Sequence, residues 1–366
     1  MMLDTSRHFL SLNVLKKYID AMMFNKLNVL HIHFTDDPSF PIEIKNQEDL
    51  SNFGKFDEDQ FYSVDNINEL IQYGLERGVR IIPEIDSPTN TYSWGFSDQL
   101  KSINVFCKDP ASAQLDPSQS LTFSTLQQIL SQINSQFPDK YVHFGGQAAN
   151  ATCYQQSSSV SQFMTQNNMN TLQLQQYYRT QQKKIWRQDI DSPKQNIIYW
   201  VDKTNLNIGF EDSDILQWIG TQADVSQLKE YNNQIILSYG DVLSLDKGFG
   251  TVTGQTQDTF STWLMVYQGI NFQDLTGFKG KIIGAEALLW GELNTDQTTM
   301  LKSWIRGSSL AERTWNSKAN DNAQNNIDLV YRLQDQLVRM TERGIPCSPI
   351  TTEYCTDNAE VCFYNH

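Results

Sequence analysis

Long apolar runs are missing from this chain. None of its 366 residues falls in a stretch approaching the roughly 20 apolar positions a helix needs to cross a bilayer, so no membrane insertion is expected. Positive charge is also scarce. With 28 Lys+Arg against 42 Asp+Glu the net charge is −14, which disfavours a nonspecific grip on nucleic acid phosphates or on an anionic membrane surface. A neutral or cationic ligand fits better. The opening residues Met1 to His8 carry no apolar segment behind a basic start, so no signal peptide is visible. Repeats at solenoid periods are absent. The five cysteines, Cys107, Cys153, Cys347, Cys355 and Cys362, are too scattered for a zinc-ribbon pattern, and three crowd the last 20 residues as a stapled tail would. His31 and His33 share one strand without an evident third ligand, so no metal is expected.

What is present is enough apolar material for a large core: 39% hydrophobic and 11% aromatic residues. Short β-rich runs alternate with helix-length amphipathic stretches from end to end. Strands are predicted at 1–5, 27–35, 79–86, 141–146, 196–202, 214–220, 234–239 and 281–289. Helices are predicted at 12–24, 66–77, 124–136, 169–190, 221–231, 259–267, 301–315 and 325–343, the last stopped by Gly344. The polar stretches 155–168 and 254–259 read as long loops. This alternation describes an α/β protein, a (β/α)8 TIM barrel over residues 1–346, with a cysteine-containing tail, 347–366, packed on it.

In such a barrel, chemistry sits where strands end. The residues there are Arg7; His33, Asp36 and Asp37; Asp86 and Asn90; Gln147 and Ala148; Trp200 and Asp202; Trp218; Asp241; and Trp290 with Glu292. Three tryptophans at one mouth would form an aromatic box suited to the apolar faces of a sugar, with Arg7 and Glu292 bonding hydroxyls. Each has a plainer reading. A tryptophan in a barrel strand is more often wall, the aspartates pair with Arg7 to tie loops down about as often as they bind, and strand histidines are usually packed and satisfied. Gly145-Gly146 is too short for a phosphate cradle and suits a tight turn. Asn150-Ala151-Thr152 is a glycosylation sequon.

Eight blocks now carry a resemblance: Leu3-Asp4-Thr5-Ser6-Arg7-His8, Asn25 to His31, Asp36-Asp37-Pro38-Ser39-Phe40-Pro41, Glu76 to Arg80, Ser93-Trp94-Gly95, His143-Phe144-Gly145-Gly146, Leu289-Trp290-Gly291-Glu292 and Ala311 to Trp315. In that order they resemble the barrel domain of family 20 glycoside hydrolases, the β-N-acetylhexosaminidases, without the small α/β domain that usually precedes it. The resemblance implies a substrate-assisted reaction in which the sugar's own acetamido oxygen attacks the anomeric carbon. An Asp orients the acetamide and a Glu serves as acid and base, and no cofactor is needed. In the family this pair follows the two glycines. Here Gln147 and Ala148 stand in those places. The family's histidine after strand three is Asn90, and a Tyr and an Asp after strand seven align with Val242 and Ser244. Arg7, Asp37, Asp86, Trp200, Trp218, Trp290 and Glu292 match the family's pocket for a terminal N-acetylhexosamine.

By the same resemblance Cys107 pairs with Cys153, Cys355 pairs with Cys347 or Cys362, and the protein is lysosomal or extracellular and a homo- or heterodimer. A lost leader or an incomplete amino terminus is then the expected reason for the missing signal. The preferred expectation is a catalytically degenerate homologue that binds an N-acetylhexosamine-bearing glycan or serves as a structural or partner subunit. The alternative is an active hexosaminidase with a relocated acid, for instance Asp241.

Overall fold

The computed structural model describes residues 1–107, 112–147, 149–194, 196–251, 254, 259–271, 275–316, 323–358 and 361–362. Runs rich in Ile, Val, Leu and aromatics form β1 (Met2–Asp4), β2 (Val29–Thr35), β3 (Arg80–Ile85), β4 (Asn104–Cys107), β5 (Ser112–Leu115), β6 (Tyr141–His143), β7 (Asn196–Val201), β8 (Ile215–Trp218), β9 (Gln234–Leu237), β10 (Ile282–Ala285) and β11 (Leu288–Leu289). Nine of them make one parallel sheet in the order β10-β9-β8-β7-β6-β3-β2-β1-β11.

The two edges of that order are halves of the single strand expected at 281–289. β10 pairs with β9, while β11 pairs with β1 through Met2↔Leu288 and Leu3↔Leu289. The change of partner falls between two residues: Glu286 N–H donates to Leu237 O at 2.8 Å, and Ala287 O accepts from Met2 N–H at 2.9 Å. Both edges are therefore joined through one strand, which closes the sheet as a TIM-type barrel.

The helices are α1 (Leu12–Phe24), α2 (Glu48–Gly54), α3 (Val64–Leu75), α4 (Ser120–Gln136), α5 (Ala151–Gln156), α6 (Ser158–Gln166), α7 (Thr171–Lys184), α8 (Trp263–Gln268), α9 (Thr299–Ser303), α10 (Arg306–Trp315), α11 (Ala323–Glu342) and α12 (Glu353–Asp357). Their apolar sides, such as Leu15 and Ile19 of α1 or Leu126, Ile129 and Ile133 of α4, are buried in one core with Ile32, Phe34, Leu216 and Leu237 of the sheet.

Three expectations need correction. The stretch 155–168 is largely helix, not loop: Asn150 and Ser157 cap α5 and α6, and Val160 and Met164, four apart, form the buried face that the surrounding Gln and Ser obscure. The helix expected at 221–231 is a 3-10 segment, Ala223–Leu228. The helix expected at 301–315 is divided into α9 and α10. The antiparallel pair β4 and β5 was not foreseen, because each strand has only four residues and is held by long-range bonds such as Leu115 N–H to Pro88 O at 2.7 Å. Most of 254–259 lies outside the described residues.

Disulfides join Cys107 to Cys153 and Cys355 to Cys362, leaving Cys347 as a free thiol. The carboxyl-terminal segment touches the helices: Ser348 N–H donates to Trp304 O at 2.9 Å and the Trp263 indole donates to Ile350 O at 3.1 Å. Among the described residues no helix is long and apolar enough to cross a membrane.

Candidate functional site

The carboxyl end of β1 places Asp4 inside the barrel, where its carboxylate accepts from Ser6, Arg7 and Gly291 N–H groups. That turn aims Arg7 back over the mouth. Its guanidinium pairs with Asp4 at 2.7 Å, Asp36 at 2.8 Å and Glu292 at 3.2 Å, and lies 5.1 Å from the Trp290 ring centre. Burial opposes the Arg7 charge, but the three carboxylates outweigh it and hold its pKa above the usual range.

Beneath this ring lies a layer that sequence reasoning missed. Period two along β2 points His31 and His33 to the same face, and β3 contributes Glu84 between them. His33 bridges Glu84 at 2.8 Å and Asp36 at 2.9 Å; His31 bridges Glu84 and Glu286, both at 2.9 Å. Trp200 Nε1–H donates to Glu84 Oε1 at 2.6 Å, and Gln217 Nε2–H donates to Glu286 Oε1 at 2.6 Å. Burial penalises every charge here, yet the imidazoles hold Glu84 well below the carboxylate range, and Glu84 holds His33 well above the histidine range. His143 moves the other way: burial lowers its pKa, and its Nδ1 accepts from Gly145 N–H at 3.0 Å. The available signal was a pair of histidines two apart on an apolar strand, facing an acid in the next one. Two triads, His31-Glu84-His143 and His33-Asp36-Asp86, have donor sets that could hold a metal. In the first His31 contacts Glu84 at 2.9 Å and in the second His33 contacts Asp36 at 2.9 Å, while Asp86 is held by Gly146 and Asn90.

Asp37 serves the loops. Its Oδ1 accepts from Tyr92 N–H at 2.9 Å and Ala113 N–H at 3.1 Å, and burial pushes its pKa up to about 6. Asp86 braces the turn after β6. It accepts from Gly146 N–H at 3.0 Å and from Asn90 Nδ2–H at 2.6 Å, and burial, then the Glu84 charge, pushes it up to about 7. Gly145 and Gly146 both have positive φ, 65° and 88°, and a Cβ on Gly145 would overlap the Asp86 carboxyl, so no other residue suits this turn. Gln147 follows, half-buried; Ala148 lies outside the described residues.

Of the three tryptophans, the structure brings two together. Trp200 and Trp290 have ring centres 5.8 Å apart, with His143 4.6 Å from Trp200 and His33 5.2 Å from Trp290. Trp218 is fully buried in the main core, lies over Gly220, and its indole donates to Thr221 O at 3.0 Å. Arg7, Asp37, Trp290 and the 44%-exposed Glu292 side chain are the parts of the set open to solvent. Asp241 is exposed and turned aside: its carboxylate accepts from Gln222 N–H at 3.0 Å. Val242 and Ser244 are buried. A further acid, Asp246, comes near the mouth instead. It accepts from Trp290 N–H at 3.4 Å, and burial, reinforced by the Glu292 charge, pushes its pKa up to about 6.

The geometry meets independent kinship. Residues 1–318 match the family described as "Glycosyl hydrolase family 20, catalytic domain". A β-hexosaminidase subunit beta of Mus musculus is 31% identical over 97% of this chain and 65% of its own length. A chitooligosaccharidolytic β-N-acetylglucosaminidase of Bombyx mori is 30% identical over 99% of this chain and 64% of its own. This chain thus spans just under two thirds of the curated relatives it matches. The solved structure of an exo-β-N-acetylglucosaminidase from Vibrio harveyi superposes with a TM-score of 0.80 at 20% identity, over 96% of this chain and 59% of that one. Such low identity speaks for the fold alone. Identity spread over nearly the whole chain, together with the family match through its first 318 residues, makes this protein a member of glycoside hydrolase family 20.

Proposed function

We propose that this chain is a hexosaminidase-type protein that binds a terminal N-acetylhexosamine through Arg7, Asp37, Trp290 and Glu292, with the buried Asp86 and Trp200 supporting them and Trp218 left in the core, and that its own hydrolytic step is degenerate. The reading rests on Gln147 and Ala148 in the two places where the family carries Asp and Glu. Alanine has no proton to transfer, and loss of general acid-base help costs roughly 100- to 10,000-fold. Glutamine can hydrogen-bond an acetamide, but it brings no charge to offset an oxazolinium, a contact worth on the order of 100- to 1,000-fold. The two losses need not multiply. The expected relocated acid, Asp241, already accepts a backbone N–H and is exposed, which supports the same reading.

One observation favours a second reading. Asp246, beside Trp290 and Glu292 with its pKa raised to about 6, is a carboxyl able to hold a proton in mildly acidic solution. An active enzyme would recruit it as the acid. Calorimetric titration with N-acetylglucosamine and its thiazoline analogue, beside assay of a chromogenic N-acetylglucosaminide from acidic to neutral pH, separates the two. Binding without turnover is expected. Turnover that disappears in Asp246→Asn overturns the degenerate reading, and failure to bind either sugar leaves a structural or partner-subunit role. Restoring Gln147→Asp with Ala148→Glu then asks whether the rest of the pocket is sound.

The disulfides and the Asn150 sequon suit an oxidising compartment, lysosomal or extracellular. Asn150 is exposed and caps α5 through Oδ1, leaving its Nδ2 available for a glycan. Assembly as a homo- or heterodimer belongs to the same proposal.

A further inference from the structure

Behind the turn at Gly146 and Gln147 lies a charge without a counter-charge. Arg179 of α7 is only 7% exposed, and its guanidinium carbon lies 4.6 Å from the Tyr199 ring centre and 4.4 Å from that of Phe210. NH1 donates to Gly209 O at 3.1 Å. Among the described residues Arg179 makes no ion pair. The carboxylate that acts on it from a distance, Asp214, has Oδ2 taken by Lys183 Nζ at 2.5 Å and Glu211 N–H at 2.8 Å. NH2 lies toward Gly146, 3.6 Å from where a Cβ there would stand.

The same guanidinium lines a cavity of about 10 Å3 with Ser87, Gly146, Gln147, Tyr178 and Tyr199. That is room for one water-sized sphere. The Tyr199 hydroxyl is buried and has no hydrogen-bond partner among the described residues, and the Tyr178 hydroxyl, also buried, has only the Ser87 hydroxyl facing its oxygen. The Ser87 hydroxyl is already met by Gln182 Nε2–H at 3.0 Å. A buried cation and two idle hydroxyl donors thus border a space too small for phosphate, sulfate or a carboxylate ligand. Water would satisfy the hydroxyls and leave the charge uncompensated, whereas a single-atom anion answers both.

We propose that this cavity is a binding site for a monatomic halide, chloride under physiological conditions, held by the Arg179 guanidinium and the hydroxyls of Tyr178 and Tyr199. The ion sits directly behind the turn after β6 and braces Gly146 and Gln147.

Bromide, with its anomalous X-ray signal, is the probe. Crystals of the full chain grown in sodium bromide should show an anomalous peak in the cavity beside Arg179; water alone there overturns the proposal. In solution, thermal unfolding is compared in chloride, bromide and gluconate at equal ionic strength. A ligand that binds only the folded state raises the midpoint with the logarithm of its concentration once that exceeds the dissociation constant, by about 2–4 °C at concentrations well above it. Both halides should do so and gluconate should not, against the general tendency of bromide to destabilise. Equal midpoints in the three salts, or a shift that is linear in halide concentration and does not turn logarithmic, overturns it. Tyr199→Phe keeps the ring under Arg179 and removes one donor, so it should weaken the halide dependence several-fold; an unchanged dependence places the ion elsewhere.

Discussion

Two arginines stand at the same end of this barrel in opposite electrostatic company. Arg7 is ringed by Asp4, Asp36 and Glu292 within 3.2 Å, and its charge is reinforced. Arg179 is more deeply buried, pairs with no acid among the described residues, and has its pKa lowered by burial. The contrast divides the mouth into two sectors. Around β1, β2 and β11, charge is compensated before any ligand arrives, and the arrangement is rigid because each group is held by several others. Around the turn after β6, the protein supplies glycines, an amide and a cation with no acid partner among the described residues. The acidic excess of the whole chain is therefore no guide to the balance at any one point, since interactions between charges are decided within a few ångströms.

The comparison is most severely tested beneath Arg7. Glu84→Gln removes the shared anion of two buried imidazoles, and the uncompensated charge should cost about 3–5 kcal/mol, read from urea unfolding. Next come the arginines themselves. Arg7→Met should cost about 2–4 kcal/mol because it strands Asp4 and Asp36, whereas Arg179→Met should cost about 1 kcal/mol or less in halide-free buffer, where only an unpaired cation is lost. Equal losses would erase the distinction between the sectors.

A further effect is carried by pH. The folded protein keeps a proton on Asp86 up to about pH 7, while an unfolded Asp releases it near 3.8, so this group makes stability fall as pH rises between those values. Asp86→Asn cannot titrate and keeps an acceptor toward Gly146. Its stability should gain on the parent protein by about 4 kcal/mol across that window, measured by unfolding at a series of pH values. His143, whose folded pKa is lowered, acts with the opposite sign in both proteins and cancels in the difference. Asp241→Ala should do least, less than about 0.5 kcal/mol in stability, with no change in sugar binding.

Much of the architecture was legible because its signals are local. Eight apolar runs, spaced by amphipathic stretches, locate the barrel strands to within a few residues, and the helix expected at 66–77 begins two residues earlier, at Val64 behind its cap Ser63. Where the signal was weak, the reading failed for identifiable reasons. Gln and Ser around Val160 and Met164 concealed α6, and four-residue strands gave β4 and β5 no period to detect. The candidate site was legible as a set of strand-end residues but not as a geometry. Trp200 and Trp290 lie 5.8 Å apart with their rings tilted while Trp218 is enclosed in the core, and nothing in their spacing separates those outcomes.

Composition, periodicity and the motif blocks by themselves determined the barrel and its family, because each is written in contiguous residues. Closure of the barrel by a strand that changes partner at Glu286, the His31-His33-Glu84 layer and the solitary Arg179 were decided only in three dimensions. They depend on which inward side chains from distant strands come within a few ångströms of one another, and pairwise electrostatics at that range has no counterpart in sequence order.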